Sequence, residues 1–397
     1  MKVLQINSVY PTKSTGKIAY QIAEVQKSHG ITPYIAAGDC FAEGDNLYAM
    51  DTKLYRKVNI LKTRLFGKHG FYNKSATRKL LRWIDKVQPD VIHLHNIHGH
   101  YLNVKLLFEY IKEHEIPVLW TLHDCWAFTG HCSHFDYIGC NKWLEGCHHC
   151  SLKADYPISW FFDRSKGNYK AKKELFTAPH KMHITLPSKW HKSLCDKSFL
   201  NKYPITVVNN GISLDVFKPT ESDIRKEMGI EDKFVILAIV NNLAGTKGGQ
   251  YLPELAKYLK EDECIVLLTL GDAGENLPAN IYLAPKTSDP EKLARLYTMA
   301  DVFVNPSLQE TFSLINLESI ACGTPVVTFD SGGGLESQSE KTGVAVKRAD
   351  VKGMYEGIER VRRGEFKKED CIQRAREFDY KLKYEQFIDI YKELLDD

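Results

Sequence analysis

Residues 301–329 read DVFVNPSLQETFSLINLESIACGTPVVTF. The run DVFVNP is rich in β-branched and aromatic residues and stops at Pro306. Thr311 to Cys322 then reads as a helix, ended by Gly323 and Pro325, and TPVVTF opens a second β-branched run. Strand, helix and strand in that order form a βαβ unit, whose strands lie parallel in one sheet.

The same alternation runs along the chain. VLQI (3–6), STGKIAYQIAEVQKSHG (14–30) and TPYIAA (32–37) show it, as do VIHLH (91–95), YLNVKLLFEYIKEHEI (101–116) and PVLWTL (117–122). The rhythm restarts at KFVILAIV (233–240) and continues through CIVLLTLG (264–271) and NIYLAP (280–285) into the stretch above. Two parallel sheets, each covered on both faces, are expected. With 397 residues the chain is too long for one ordinary core and suits two domains. The polar segment DVFKPTESDIRKEMGIED (215–232) reads as a linker and short helix, which divides the chain into domains 1–215 and 216–377. In residues 378–397, Phe387, Ile390, Tyr391 and Leu394 stand at helical spacing, so a terminal helix closes the chain.

Ligands of such sheets bind at the carboxyl ends of strands, so the candidate residues are sought there. After the first strand, PTKSTGK carries Gly16 into a helix; no G-x-G-x-x-G and no G-x-x-x-x-G-K-[ST] is present, which weakens the dehydrogenase and P-loop readings. His123 and Asp124 follow PVLWTL at another strand end. Glu310 is expected at the mouth of the 311–322 helix, where the first-turn N–H groups near Thr311, Phe312, Ser313 and Leu314 make an anion site. Glu318 follows two turns on, roughly 12 Å away at 1.5 Å per residue. Carboxylates at the two ends of a diphosphate suit the hydroxyls of a sugar and a ribose, so the pair fits a nucleotide sugar. The same two residues also suit a helix cap and a solvent-facing charge.

ETFSLINLESIACGTPVV closely resembles the Glu-x7-Glu signature of retaining glycosyltransferases of family 4. STGK, PDVIHLHN, TLHD, VVNNGISLDVFKP, TKGG and KLARLYTMADVFVNPS follow in that family's order, so the resemblance covers nearly the whole chain. It implies the GT-B fold: two facing Rossmann-like domains with parallel sheets, the C-terminal helix returning to the N-terminal domain. Within the family the chain is similar to bacterial enzymes of surface-polysaccharide assembly that carry a Cys-rich insert, here within 125–150.

By that similarity Glu310 would hold donor-sugar hydroxyls, Glu318 the nucleotide ribose, and Lys247 the diphosphate. His123 would reach the donor sugar from the other domain, and Gly16 would let backbone approach the phosphate or the acceptor. The leaving phosphate would take the acceptor proton, with no general base and no catalytic cofactor. The sequence departs from the family at Asn242, where an arginine is common, and Lys286 is the candidate substitute.

Cys132, Cys140, Cys147 and Cys150 form C-x7-C-x6-C-x2-C, which suits a closed structural zinc site; reduced buried thiols, and disulfides or a cluster, are the other readings. From Lys53 to Arg82 there are ten basic residues and no acidic one, interleaved with Tyr55, Leu65, Phe66, Phe71 and Tyr72. Such a mixture suits either anionic lipid or a solvated basic face. No nucleic-acid reader motif accompanies it, and the formal charge of +3 is too small to imply one. No apolar run could span a bilayer and MKVLQINSVY reads as a strand, so a cytoplasmic enzyme, peripheral at the inner face of the membrane, is expected. The expected activity is hexosyl transfer from a nucleotide sugar to a growing, lipid-linked glycan. A GT-B nucleotide-sugar epimerase and a degenerate glycan- or partner-binding protein are the alternatives.

Overall fold

The computed structural model describes residues 1–50, 53–272 and 276–396; the side chains of Lys53 and Tyr55, read above into the basic stretch, lie outside the described residues. The chain divides into two units, Met1–Asn209 with Lys383–Asp397, and Asn210–Leu382.

In the first unit β1 (Lys2–Tyr10), β2 (Thr32–Cys40), β3 (Leu47–Ala49), β4 (Val91–Leu94), β5 (Val118–Thr121), β6 (Met182–Leu186) and β7 (Ile205–Val207) form one sheet in the order β3-β2-β1-β4-β5-β6-β7. Every pairing is parallel. Strands covered on both faces are shut off from water along their length: VIHL of β4 and VLWT of β5 are buried at every position, and the polar His93 and Thr121 pair with each other at 2.7 Å. The core on one side gathers Phe108, Trp120 and Phe176.

The second unit holds β8 (Phe234–Val240), β9 (Glu263–Thr269), β10 (Ile281–Leu283), β11 (Val302–Asn305), β12 (Val326–Phe329) and β13 (Gly343–Val346), ordered β10-β9-β8-β11-β12-β13 and again all parallel. Alternation along β8 sends Val235 and Leu237 into one core and Ile236 and Ala238 into the other. Both units are thus Rossmann-like, and each sheet changes direction once, between β1 and β4 and between β8 and β11. Loops leaving the carboxyl ends of such neighbouring strands part there and open a crevice.

The terminal helix Tyr380–Asp396 packs its Phe387 and Tyr391 onto the first unit. Tyr391 is wholly buried; its hydroxyl accepts from the Gln26 amide at 2.8 Å and lies 2.7 Å from His93 Nδ1. Gln26 of helix Lys13–Ser28 and His93 of β4 thus satisfy the buried phenol, while Phe387, Ile388, Ile390 and Leu394 bury the apolar face of the helix.

Candidate active site

In the second unit the loops after β8 and β11 meet. Leu308 N–H donates to the Thr246 carbonyl at 2.8 Å, and Gly248, at φ +74°, packs so closely that a side chain there would strike the Pro306 carbonyl. This brings Lys247 to Glu310: Nζ donates to Oε1 at 2.7 Å, with the carboxylate largely buried and the lysine half-exposed.

Glu310 is held by its backbone as well. Its N–H donates to the Ser331 carbonyl at 3.2 Å and its carbonyl accepts from Gly333 N–H at 2.9 Å, a single parallel bridge centred on Gly332. These bonds explain a correction to the helix limits. The helix spans Leu314–Ala321 instead of beginning at Thr311, because Glu310 is committed to the bridge and Ser313, in extended backbone, caps the helix by accepting from Asn316 N–H. Glu310 thus lies ahead of the helix on a bridged loop, and Thr311 and Phe312 are buried between the two. Ser313 Oγ also lies 3.2 Å from the Asn305 amide, tying the cap to the end of β11.

Glu318 sits on the helix, where Oε2 accepts from the Tyr297 hydroxyl at 3.0 Å. Tyr297 is fully buried; burial first, then the Glu318 charge and hydrogen bond, push its phenol far above the usual range, so it stays a donor. Sequence reasoning missed Tyr297, which lies in an ordinary apolar helical pattern. Asn242 and Lys286 converge on one turn: Lys286 Nζ donates to the Gly271 carbonyl at 2.7 Å, and a side chain at Gly271 would collide with Asn242 Oδ1.

In the first unit His123 follows β5. His95 Nδ1 lies 3.1 Å from His123 Nε2, and His95 Nε2 lies 3.0 Å from Gln5 Oε1. Gln5 donates to Gln26 at 3.1 Å, and Gln26 reaches Tyr391. A buried polar chain therefore runs from His123 to the terminal helix. Burial disfavours the imidazolium and pulls His123 down to about 4, leaving it neutral at pH 7. Asp124 behaves in the opposite way. Burial works against its charge, yet His98, whose Nε2 lies 2.7 Å away, holds it well below the usual carboxylate range. Gly16 lies in the first turn of helix Lys13–Ser28 and packs on β1, where an added Cβ would come 3.0 Å from the Val9 carbonyl.

Residues 15–216 match the family described as Glycosyltransferase Family 4. The chain belongs to glycosyltransferase family 4. Residues 220–378 match Glycosyl transferases group 1. With both matches, the chain is a glycosyltransferase, and its two parallel-sheet units have the GT-B fold. Over 304 residues it is 26% identical to a protein named as a colanic acid biosynthesis glycosyl transferase, WcaC, of Escherichia coli, covering 74% of this chain and 72% of that one. A D-inositol 3-phosphate glycosyltransferase of Segniliparus rotundus is 31% identical over 146 residues, 32% of each chain. Among solved structures, the sucrose-phosphate synthase of Thermosynechococcus elongatus superposes with a TM-score of 0.73 at 15% identity, covering 100% of this chain and 99% of that one. Anabaena HepE in complex with UDP superposes at 0.66 and 14% identity, covering 99% of this chain and 100% of that one.

The insert of this family 4 chain brings Cys132, Cys140, Cys147 and Cys150 to the lining of one recess. All four are free thiols. Gly130 N–H donates to Cys147 Sγ at 3.1 Å, and Cys132 and Cys150 share a hydrogen bond. Among the described residues no three His, Cys, Asp or Glu side chains are gathered into a metal-ligand group. Lys172, also missed from sequence, is buried against the insert, donating to the Trp126 and Thr129 carbonyls at 2.7 and 3.0 Å. Burial lowers its pKa to about 7.

Proposed function

We propose that this enzyme moves a hexosyl unit, with retention of configuration, from a nucleotide sugar to a growing lipid-linked surface glycan. The Lys247–Glu310 pair carries the reading. A diphosphate brings more negative charge than one carboxylate, so on donor binding Lys247 exchanges Glu310 for phosphate, and Glu310 is released to hydroxyls of the transferred sugar. The exchange couples charge neutralisation on the leaving group to orientation of the sugar. Glu318 is assigned to the ribose, and Lys286 beside Asn242 to part of the charge an arginine would carry. His123, neutral at pH 7, is assigned to hydrogen bonding, and the leaving phosphate takes the acceptor proton without a catalytic metal. Similarity to a protein named for colanic acid biosynthesis supports the glycan acceptor.

Thermal shift against UDP, GDP, ADP and CMP sugars tests the donor. At about a hundred times its dissociation constant the right one adds about 2.7 kcal/mol of stability. Product stereochemistry by NMR tests retention, and an unshifted melt with every donor sinks the reading.

The insert is proposed to hold a structural zinc through Cys132, Cys140, Cys147 and Cys150. Their shared recess and the N–H donated to Cys147 support it. The basic stretch 53–82 is proposed to work at the inner membrane surface, where a lipid-linked acceptor would be presented.

A further inference from the structure

From Arg56 on, helix Lys53–Phe66 turns polar side chains inward and several apolar ones outward. Polar Asn59 and Thr63 face inward, where Asn59 donates to the His100 carbonyl at 3.3 Å and Thr63 Oγ1 lies 3.2 Å from His100 Nδ1. Apolar Val58, Leu61 and Phe66 face outward, 42%, 49% and 48% exposed. A helix folded only for its own domain would turn those residues in.

A second exposed apolar element adjoins it. Trp160, Phe161 and Phe162 are consecutive and 47%, 66% and 48% exposed. Trp160 N–H donates to the Arg64 carbonyl at 2.6 Å, and the Arg64 guanidinium lies 5.4 Å from the Trp160 ring centroid. Gly67, just past the helix, passes so near the Phe162 carbonyl that a Cβ would come within 2.9 Å. Helix and loop therefore form one surface, apolar at its middle and edged by exposed Lys57 and Lys62.

We infer that this surface docks on an anionic lipid bilayer, with residues 160–162 and the outer face of the helix entering the headgroup layer. The inference rests on the membrane-surface reading above and adds the aromatic loop, which lies far outside the basic stretch in sequence. Charge selects the occupant. A second copy would bring the exposed Lys57 and Lys62 of one chain towards the same lysines of the other, whereas anionic headgroups gain roughly fivefold in affinity per basic side chain. Trp and Phe beside Lys and Arg suit the interfacial layer, where an apolar ring and a cation are both accommodated.

The test is sedimentation of the whole chain with phosphatidylcholine vesicles, with or without phosphatidylglycerol as about a third of the lipid, in the absence of donor. Binding is expected to the mixed vesicles, to weaken by more than about tenfold on neutral vesicles, and to fall in high salt. The triple variant W160S/F161S/F162S should bind more than about tenfold more weakly while its melt and its thermal shift with donor stay unchanged. V58S/L61S gives the same loss from the helix side. Vesicle binding unaltered in both variants overturns the inference. So does a concentration-dependent dimer that the same substitutions abolish, in a chain that ignores vesicles. Vesicle binding without any donor response would leave this inference standing and count only against the glycosyl-transfer reading.

Discussion

Lys247 Nζ and Glu310 Oε1 stand 2.7 Å apart, joining the loop after β8 to the loop after β11 at the point where the sheet changes direction. Each residue occupies the other's charge; under the exchange proposed above a donor separates them, and the two substitutions should differ in kind.

Glu310→Gln removes the competitor for Lys247. It should bind free nucleoside diphosphate at least as tightly as the parent while turnover falls about a hundredfold, since orientation of the sugar matters chiefly in the transition state. Lys247→Met should lose about 1.5–3 kcal/mol of nucleotide affinity. Calorimetry beside a transfer assay measures both, and equal loss of affinity in the two variants would falsify the exchange.

Glu318→Ala should weaken the diphosphate and the nucleotide sugar alike by about 1.5–3 kcal/mol, and should also destabilise the fold because the buried Tyr297 hydroxyl loses its acceptor. Tyr297→Phe removes that donor and leaves the carboxylate in place, so nucleotide affinity should hold. If calorimetry finds the two variants equally impaired, the carboxylate is not what touches the ribose.

Stability of the first unit should decline as pH falls from 6.5 towards 4. Burial holds His123 and His131 at about 4 and His191 at about 3, against 6.5 when unperturbed. Between these values the unfolded chain binds more protons, so the stability is fully present above about pH 6.5 and is lost on acidification, by about 1.4 kcal/mol per pH unit for each such histidine. Urea melts across this range should show the slope, and His191→Gln should make it shallower. A flat profile would mean these rings are not buried neutral.

Purified protein should carry about one zinc per chain by elemental analysis, and Cys147→Ser with Cys150→Ser should lower both zinc content and melting temperature. Metal-free protein with the parent's melt would identify the cysteines as buried thiols.

Much of the fold was legible because its signals are local. The alternation of VLQI, helix and TPYIAA, or of DVFVNP, helix and TPVVTF, reports burial on both faces of parallel strands, and the Glu-x7-Glu spacing lies within a single strand–helix unit. Where the reading erred, a distant partner intervened. The helix was extended back to Thr311 because nothing in ETFS reveals that Glu310 bridges to Gly332. The polar role of Tyr297 is not legible in KLARLYTM, because its acceptor, Glu318, lies on another helix.

The sequence by itself determined two parallel-sheet units, because periodicity needs only neighbours along the chain. It also singled out candidates: Glu310, Glu318 and His123 by their places near strand ends, and Lys247 by resemblance to family 4. Tertiary structure alone decided that Lys247 pairs with Glu310, that His123 is linked through His95, Gln5 and Gln26 to Tyr391, and that Val58 and Leu61 face outward beside Trp160. Those relations depend on which strand ends the strand order sets side by side, and on which side of a helix finds partners. A hydrophobic pattern can place a helix, but only its neighbours decide which of its faces is turned inward.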